Sequence, residues 1–153
     1  MATDAASQQY TFSLDVNHER QAYVTEQLRA FNQSHTSPLW QAPPQAPAPL
    51  HIYILDGHGA VLGGLIGRTN AIPEWLEVAT IWVADHVRHQ GLGRELMRRA
   101  EEEAKQRGCR YARLATSNYQ APTFYRKLGY ELYGTLENCP RGETVYLFSK
   151  ELI

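Results

Sequence analysis

Cysteine is scarce in this chain, two in 153 residues. The pair, Cys109 and Cys139, has neither the spacing of a metal cluster nor the density of a disulfide framework. Cys109 stands at the entrance of a predicted strand and reads as a small core residue. An excess of basic charge is also missing. The formal net charge is -1, so no global positive field recruits nucleic acid or an anionic membrane. Apolar runs stop well short of the ~20 residues of a membrane span. Met1–Gln9 is small and polar, with neither the apolar core of a secretory signal nor the arginines of a transit peptide. The six histidines are scattered, without a His/Cys/Asp spacing that suggests a metal site. What remains is one ordinary domain, 1–153, expected in the cytoplasm, with no metal, no nucleic acid and no membrane as partner.

Hydrophobic spacing then sets the elements. Tyr10 to Leu14 alternates large apolar with small polar residues, the period of a half-buried strand. Asn17 is an N-cap for a helix with Val24, Leu28 and Phe31 on one face. From Asn32 to Pro49 the prolines rule out a continuous regular element, which predicts a surface loop. Leu39 and Trp40 in that loop read as a packing anchor, with a substrate wall as the alternative. His51–Leu55 and Ala60–Gly67 flank Asp56-Gly57-His58-Gly59 as a hairpin, and the glycines of its second strand suggest a bulge or a close backbone approach. Leu76–Val83 is a strand. A helix follows with Leu92, Leu96, Ala100 and Ala104 as its apolar stripe. Glu95–Arg99, Glu101–Lys105 and Glu103–Arg107 lie at i, i+4 on what reads as a solvated face. Strand Tyr111–Ala115, a helix opened by Pro122 with Phe124 and Leu128 inward, and a tail hairpin complete the chain. The order is a mixed α/β layer, α+β in class, with a largely antiparallel sheet and helices on its faces. Exposed edges of the tail hairpin could pair with a second copy in a homodimer.

The strand from Leu76 leads through Arg88-His89-Gln90-Gly91-Leu92-Gly93 straight into a helix. That arrangement gathers backbone N–H groups at a helix N-terminus, a site for phosphate. A dinucleotide fingerprint would need a third glycine where Leu96 stands, and a P-loop would need Gly-Lys-Ser/Thr. Both fail on the motif.

Those six residues match the pattern R/Q-x-x-G-x-G/A, and the chain resembles the GCN5-related N-acetyltransferase (GNAT) superfamily from about Tyr10 to its end. A second region, Asn118 with Ala121 to Tyr130, is similar to the family's later motif, a tyrosine-bearing helix ending in a Leu-Gly-aromatic step. The resemblance implies transfer of an acetyl group from acetyl-CoA to a primary amine, by direct attack in a ternary complex. It implies a sheet in which the strand before the turn splays from strand Tyr111–Ala115. The pantetheine arm would lie in that V against the backbone of Trp82 and Val83. The pyrophosphate would rest on the turn Arg88, His89, Gln90, Gly91, Leu92, Gly93 and Arg94, with Arg94, in the first helical turn, the better placed of the two arginines. Asn118 would contact the cofactor, or else cap a helix.

Aminolysis of a thioester needs a neutral amine, stabilisation of an oxyanion and a proton for the departing thiolate. A lysine-like amine has a pKa of about 10.4, so a base or water must take its proton. Tyr125 matches the family's tyrosine and is the expected acid, projecting roughly 100° around its helix from the core stripe. Glu77 interrupts an apolar strand and is the expected base, or else a solvent-facing strand residue. The acceptor, a small molecule or a protein or peptide amine, is unspecified by the residues. The alternative reading is a non-catalytic acyl-CoA-binding or regulatory module.

Overall fold

Asn17 caps the first helix as expected. Its side-chain oxygen accepts the Arg20 N–H at 2.9 Å, and α1 runs His18–His35. A second helical turn, α2, spans Pro38–Gln41 within the Pro-rich stretch. The computed structural model describes residues 10–43 and 45–153, and the Leu39 and Trp40 side chains, expected to anchor the loop, lie outside what is described. The chain divides into two compact units, 1–43 and 44–153. In the first unit the strand expected at Tyr10–Leu14 does not form, and Phe12 and Leu14 are exposed. Alternation supplies the period of a strand but not the neighbouring strand that a ladder needs. Val24, Leu28 and Phe31 of α1 are exposed too. No described helix is long and apolar enough to cross a membrane.

The second unit is a six-stranded sheet. Its elements in chain order are β1 (Ala48–Leu55), β2 (Val61–Asn70), β3 (Trp75–Val83), α3 (Leu92–Gln106), β4 (Tyr111–Ser117), α4 (Pro122–Lys127), β5 (Glu131–Glu137) and β6 (Thr144–Glu151). The strands lie in the order β1-β2-β3-β4-β6-β5. All neighbours are antiparallel except β3 and β4, which need the α3 crossover because parallel strands cannot be joined by a tight turn. The predicted β1–β2 hairpin forms, and the Asp56 carboxylate shapes its turn by accepting the His58 and Ala60 N–H groups at 2.8 and 2.9 Å. Pro49 is tolerated because β1 is an edge strand.

The core lies where the α3 stripe meets the sheet. Leu96, Met97, Ala100 and Ala104 bury against Leu65, Leu76, Ala112 and Phe148. Glu95–Arg99 and Glu103–Arg107 form the expected surface ion pairs, each at 2.7 Å. Glu101 departs from the expected solvated face. It is buried and bonds Tyr130 and Lys150 instead of Lys105, because a neighbouring stripe of the helix also faces the protein.

Two irregularities position the site. The β3–β4 ladder runs only from Trp75↔Tyr111 to Val78↔Leu114, and beyond it the strands separate. At that point Ile66 of β2 pairs with Thr80 while Gly67 pairs with Val78, so Ala79 is an extra residue, a β-bulge that bends the strand. Gly67 beside the bulge lets the strands approach: a Cβ there would sit 2.7 Å from the Glu77 carbonyl oxygen. This is the close approach that the strand glycines foretold.

Candidate active site

The diverging ends of β3 and β4 open a cleft of about 740 Å³. Val78–Val83 form one wall. Ala115, Thr116 and the loop Tyr119–Ala121 form the other. The turn at Arg88–Arg94 closes one end, and Phe124 and Tyr125 of α4 line it as well. Past Val78, β3 pairs with β2 on one side only, so the peptide groups that β4 would have engaged face the cleft.

The turn into α3 follows from its residues. His89 and Gly91 both have positive φ, 61° and 79°, and Gly91 stands at the N-cap without any side-chain cap. The first helical bond is Glu95 N–H to the Gly91 carbonyl, at 3.0 Å. The N–H groups of Leu92, Gly93 and Arg94 therefore have no acceptor in the helix, and the helix dipole adds positive character at the same end. That donor set fits a pyrophosphate. The nearby Glu95 does not oppose it: hydrogen bonds from Arg98 and Arg99 hold its carboxyl down at about 2 and offset its charge.

Of the residues singled out from the sequence, Trp82, Val83, Arg88, His89, Gly91, Leu92, Gly93, Arg94 and Tyr125 all line the cleft, whereas Gln90, Asn118 and Glu77 do not. The two arginines differ. Arg88 donates its Nε–H to the Val83 carbonyl at 3.0 Å and pairs with Asp85 at 2.7 Å. Arg94 makes no ion pair among the described residues and lines the cleft from the first turn of α3. Asn118 neither caps α4 nor reaches the cleft. It bridges to β6, its N–H bonding the Thr144 carbonyl at 3.0 Å and its side-chain oxygen accepting the Thr144 N–H at 3.1 Å.

Glu77 lies in the closed part of the ladder. Its Oε2 accepts Arg68 Nη2 at 2.9 Å, Arg68 Nε at 3.1 Å and Arg113 Nη2 at 3.3 Å. Burial pushes its carboxyl up, but the hydrogen bonds from Arg68 and Arg113 outweigh that and leave it below the usual carboxylate range. Arg113 in turn stacks on Trp75, 3.7 Å from the ring centroid. A carboxylate so engaged is a poor proton acceptor.

Tyr125 is deeper than its helical angle suggested. Only 6% of it is exposed, and its ring meets Phe148 and Tyr130 at 6.2 and 6.1 Å between centroids. Phe124 and Leu128, expected inward, are half-buried beside it. Burial pushes the Tyr125 phenol up, so it stays protonated through neutral pH. Sequence reasoning missed Gln120, whose Oε1 accepts the Thr116 hydroxyl at 3.0 Å and the Ser117 N–H at 2.9 Å, ending β4 at the cleft. A polar side chain just past a strand and before Pro122 was the available signal.

The family model described as "Acetyltransferase (GNAT) family" matches residues 16–130. The chain belongs to the GNAT acetyltransferase family. This acetyltransferase is 36% identical over 118 residues to blasticidin-S acetyltransferase of Streptomyces morookaense, covering 74% of this chain and 85% of that one. Its fold is similar to that of an acetyltransferase from Bacillus cereus, with a TM-score of 0.75 and 27% identity over 92% of this chain and 97% of the other. Nourseothricin acetyltransferase is a further structural relative, with a TM-score of 0.62 and 27% identity over 73% and 70% of the two chains. The mixed, mostly antiparallel sheet and the enzyme class read from the sequence are both borne out.

Proposed function

We propose that the protein is a single N-acetyltransferase domain that uses acetyl-CoA to acetylate a primary amine on a small molecule. The family match runs across both units. Acetyl-CoA supplies an activated thioester: the amine nitrogen bonds to the acyl carbon, the C–S bond breaks, and the thiolate takes a proton. The observation that carries the reading is one cleft joining three things: an unpaired strand edge, uncapped helix N–H groups and a buried phenol.

Each residue then has a task. The N–H groups of Leu92–Arg94 and the Arg94 guanidinium hold phosphate. The cleft-facing backbone around Trp82 and Val83 pairs with the amide-bearing arm, and an N–H of the same edge meets the oxyanion as charge develops. Tyr125 donates the proton to the leaving sulfur; against a thiol pKa near 8.5 this works only if the phenol is held in place, so geometry matters more than acidity. Glu77 is engaged elsewhere, and among the described residues no carboxylate lines the cleft. The proton lost by the amine goes to water in the open mouth. A small-molecule acceptor is supported by the printed names of blasticidin-S acetyltransferase and nourseothricin acetyltransferase.

The test is acetyl-CoA-dependent thiol release across an amine panel that includes both antibiotics, with wild type and Tyr125→Phe. With the best acceptor, Tyr125→Phe lowers kcat by about tenfold or more while the KM for acetyl-CoA stays within about twofold. An unaltered kcat removes the phenol from the reaction.

A further inference from the structure

Midway along α3 stands a carboxylate that the transfer chemistry does not use. Glu101 is 9% exposed. Its Oε1 accepts the Tyr130 hydroxyl at 3.0 Å and its Oε2 meets Lys150 Nζ at 2.6 Å. A partly buried ion pair, with the Lys150 side chain 27% exposed, adds little stability over an apolar replacement of the same volume, so stability alone does not account for it. What it does is fix one group in one orientation, the Tyr130 phenol.

Tyr130 grips Tyr125 twice. Its ring lies edge-on to the Tyr125 ring, at 6.1 Å and 72°. Its backbone N–H donates to the Tyr125 carbonyl at 3.1 Å. Lys150 lies 5.6 Å from the Tyr130 ring centroid and closes the group. Helix α4 has only six residues and no side-chain cap, so its own hydrogen bonds are a weak brace for a side chain that must be held accurately. Helix α3, by contrast, is a 15-residue element packed on the core, and its first turn faces the other end of the cleft.

We infer that Glu101 is a positioning residue for acetyl transfer: through Tyr130 it fixes the Tyr125 hydroxyl relative to the helix start that receives the phosphates. This rests on the reading of Tyr125 as the proton donor. One rigid helix thereby sets both ends of the reacting geometry. Displacing a reacting group by about 1 Å can cost on the order of 100-fold in rate, so a loosened brace is felt in kcat.

The experiment is a double-mutant cycle with the full chain. Tyr130→Phe keeps the ring and removes the hydroxyl that Glu101 holds. It lowers kcat by about fivefold, with the acetyl-CoA KM within about twofold. Glu101→Gln keeps an acceptor for that hydroxyl and recovers most of the turnover lost in Glu101→Leu. In a Tyr125→Phe background, Tyr130→Phe has no further effect, since the group it positions is gone. Thermal melts establish that each variant is folded at the assay temperature. A Tyr130→Phe enzyme with wild-type kcat overturns the inference, and so does a loss that multiplies with that of Tyr125→Phe; in both cases the reading of Tyr125 stands. If Tyr125→Phe itself is without effect, both fall.

Discussion

The two halves of the β3–β4 seam are built on opposite plans. From Trp75 to Val78 the strands are laddered, and the charged side chains across them are paired: Arg68, Glu77 and Arg113 form one network stacked on Trp75. From Ala79 to Val83 the same strand has lost its neighbour, and the cleft opens. The closed half spends its charge on holding strands together. The open half offers bare peptide groups, and the chemistry proposed for it lies on other elements, the α3 start and Tyr125. A single extra residue, Ala79, marks the change.

Removing that residue is the most direct way to break the contrast. With Ala79 deleted, Ile66 still faces Thr80 and Gly67 still faces Val78, so the register with β2 survives while the bulge disappears. The straightened β3 continues alongside β4 and closes the cleft. Acetyl-CoA affinity by calorimetry falls by about 100-fold or more, while the thermal midpoint is held. A deletion variant that still binds acetyl-CoA would show that the bulge does not create the opening.

A smaller effect sharpens the open half. Arg94→Ala removes a cleft-lining guanidinium that makes no ion pair among the described residues and leaves the N–H groups intact. The acetyl-CoA KM rises roughly fivefold with kcat unchanged, and the difference from wild type shrinks as salt is added. An equal loss at all ionic strengths would place the arginine outside the phosphate site.

The smallest kinetic effect is expected in the closed half. Glu77→Gln leaves the pH–rate profile unaltered, as expected of a carboxylate engaged by Arg68 and Arg113, but costs about 1–2 kcal/mol in denaturant melts at neutral pH. The pH dependence has a definite sign. A carboxyl held below its unfolded value contributes stability above that value, about 4.3, and the contribution is lost as pH falls through the lowered folded value. Wild type and variant therefore converge in stability on the acid side. A shifted rate profile instead would return Glu77 to the chemistry.

What the sequence revealed, and what it did not, follows the same division. The α3 stripe, the hairpin and the glycine turn into α3 are local patterns: Leu96 is buried, Asp56 shapes its turn and Gly91 stands at the helix N-cap. Partnership is not local. Glu77 looked like a lone carboxylate because its two arginines lie 9 residues before and 36 after it. Glu101 looked like half of a surface i, i+4 pair, because its partners come from 29 and 49 residues away. Tyr10–Leu14 has a strand's alternation and yet forms no strand. The bulge at Ala79 is visible only once β2 and β3 are aligned, although the β2 glycines hinted at a close approach.

The Arg88 side chain has a consequence for how such motifs are spelled. It reaches back to the Val83 carbonyl through its Nε–H, while its ion partner Asp85 is exposed. The position thus requires one N–H donor on a long side chain and makes little demand for a positive charge. A glutamine amide supplies the same donor at similar reach. The interchange of arginine and glutamine at the head of the R/Q-x-x-G-x-G/A pattern is then a rule about fastening a strand end to the turn after it, and in the proposed reading phosphate binding falls to groups four to six residues further on, from Leu92 to Arg94.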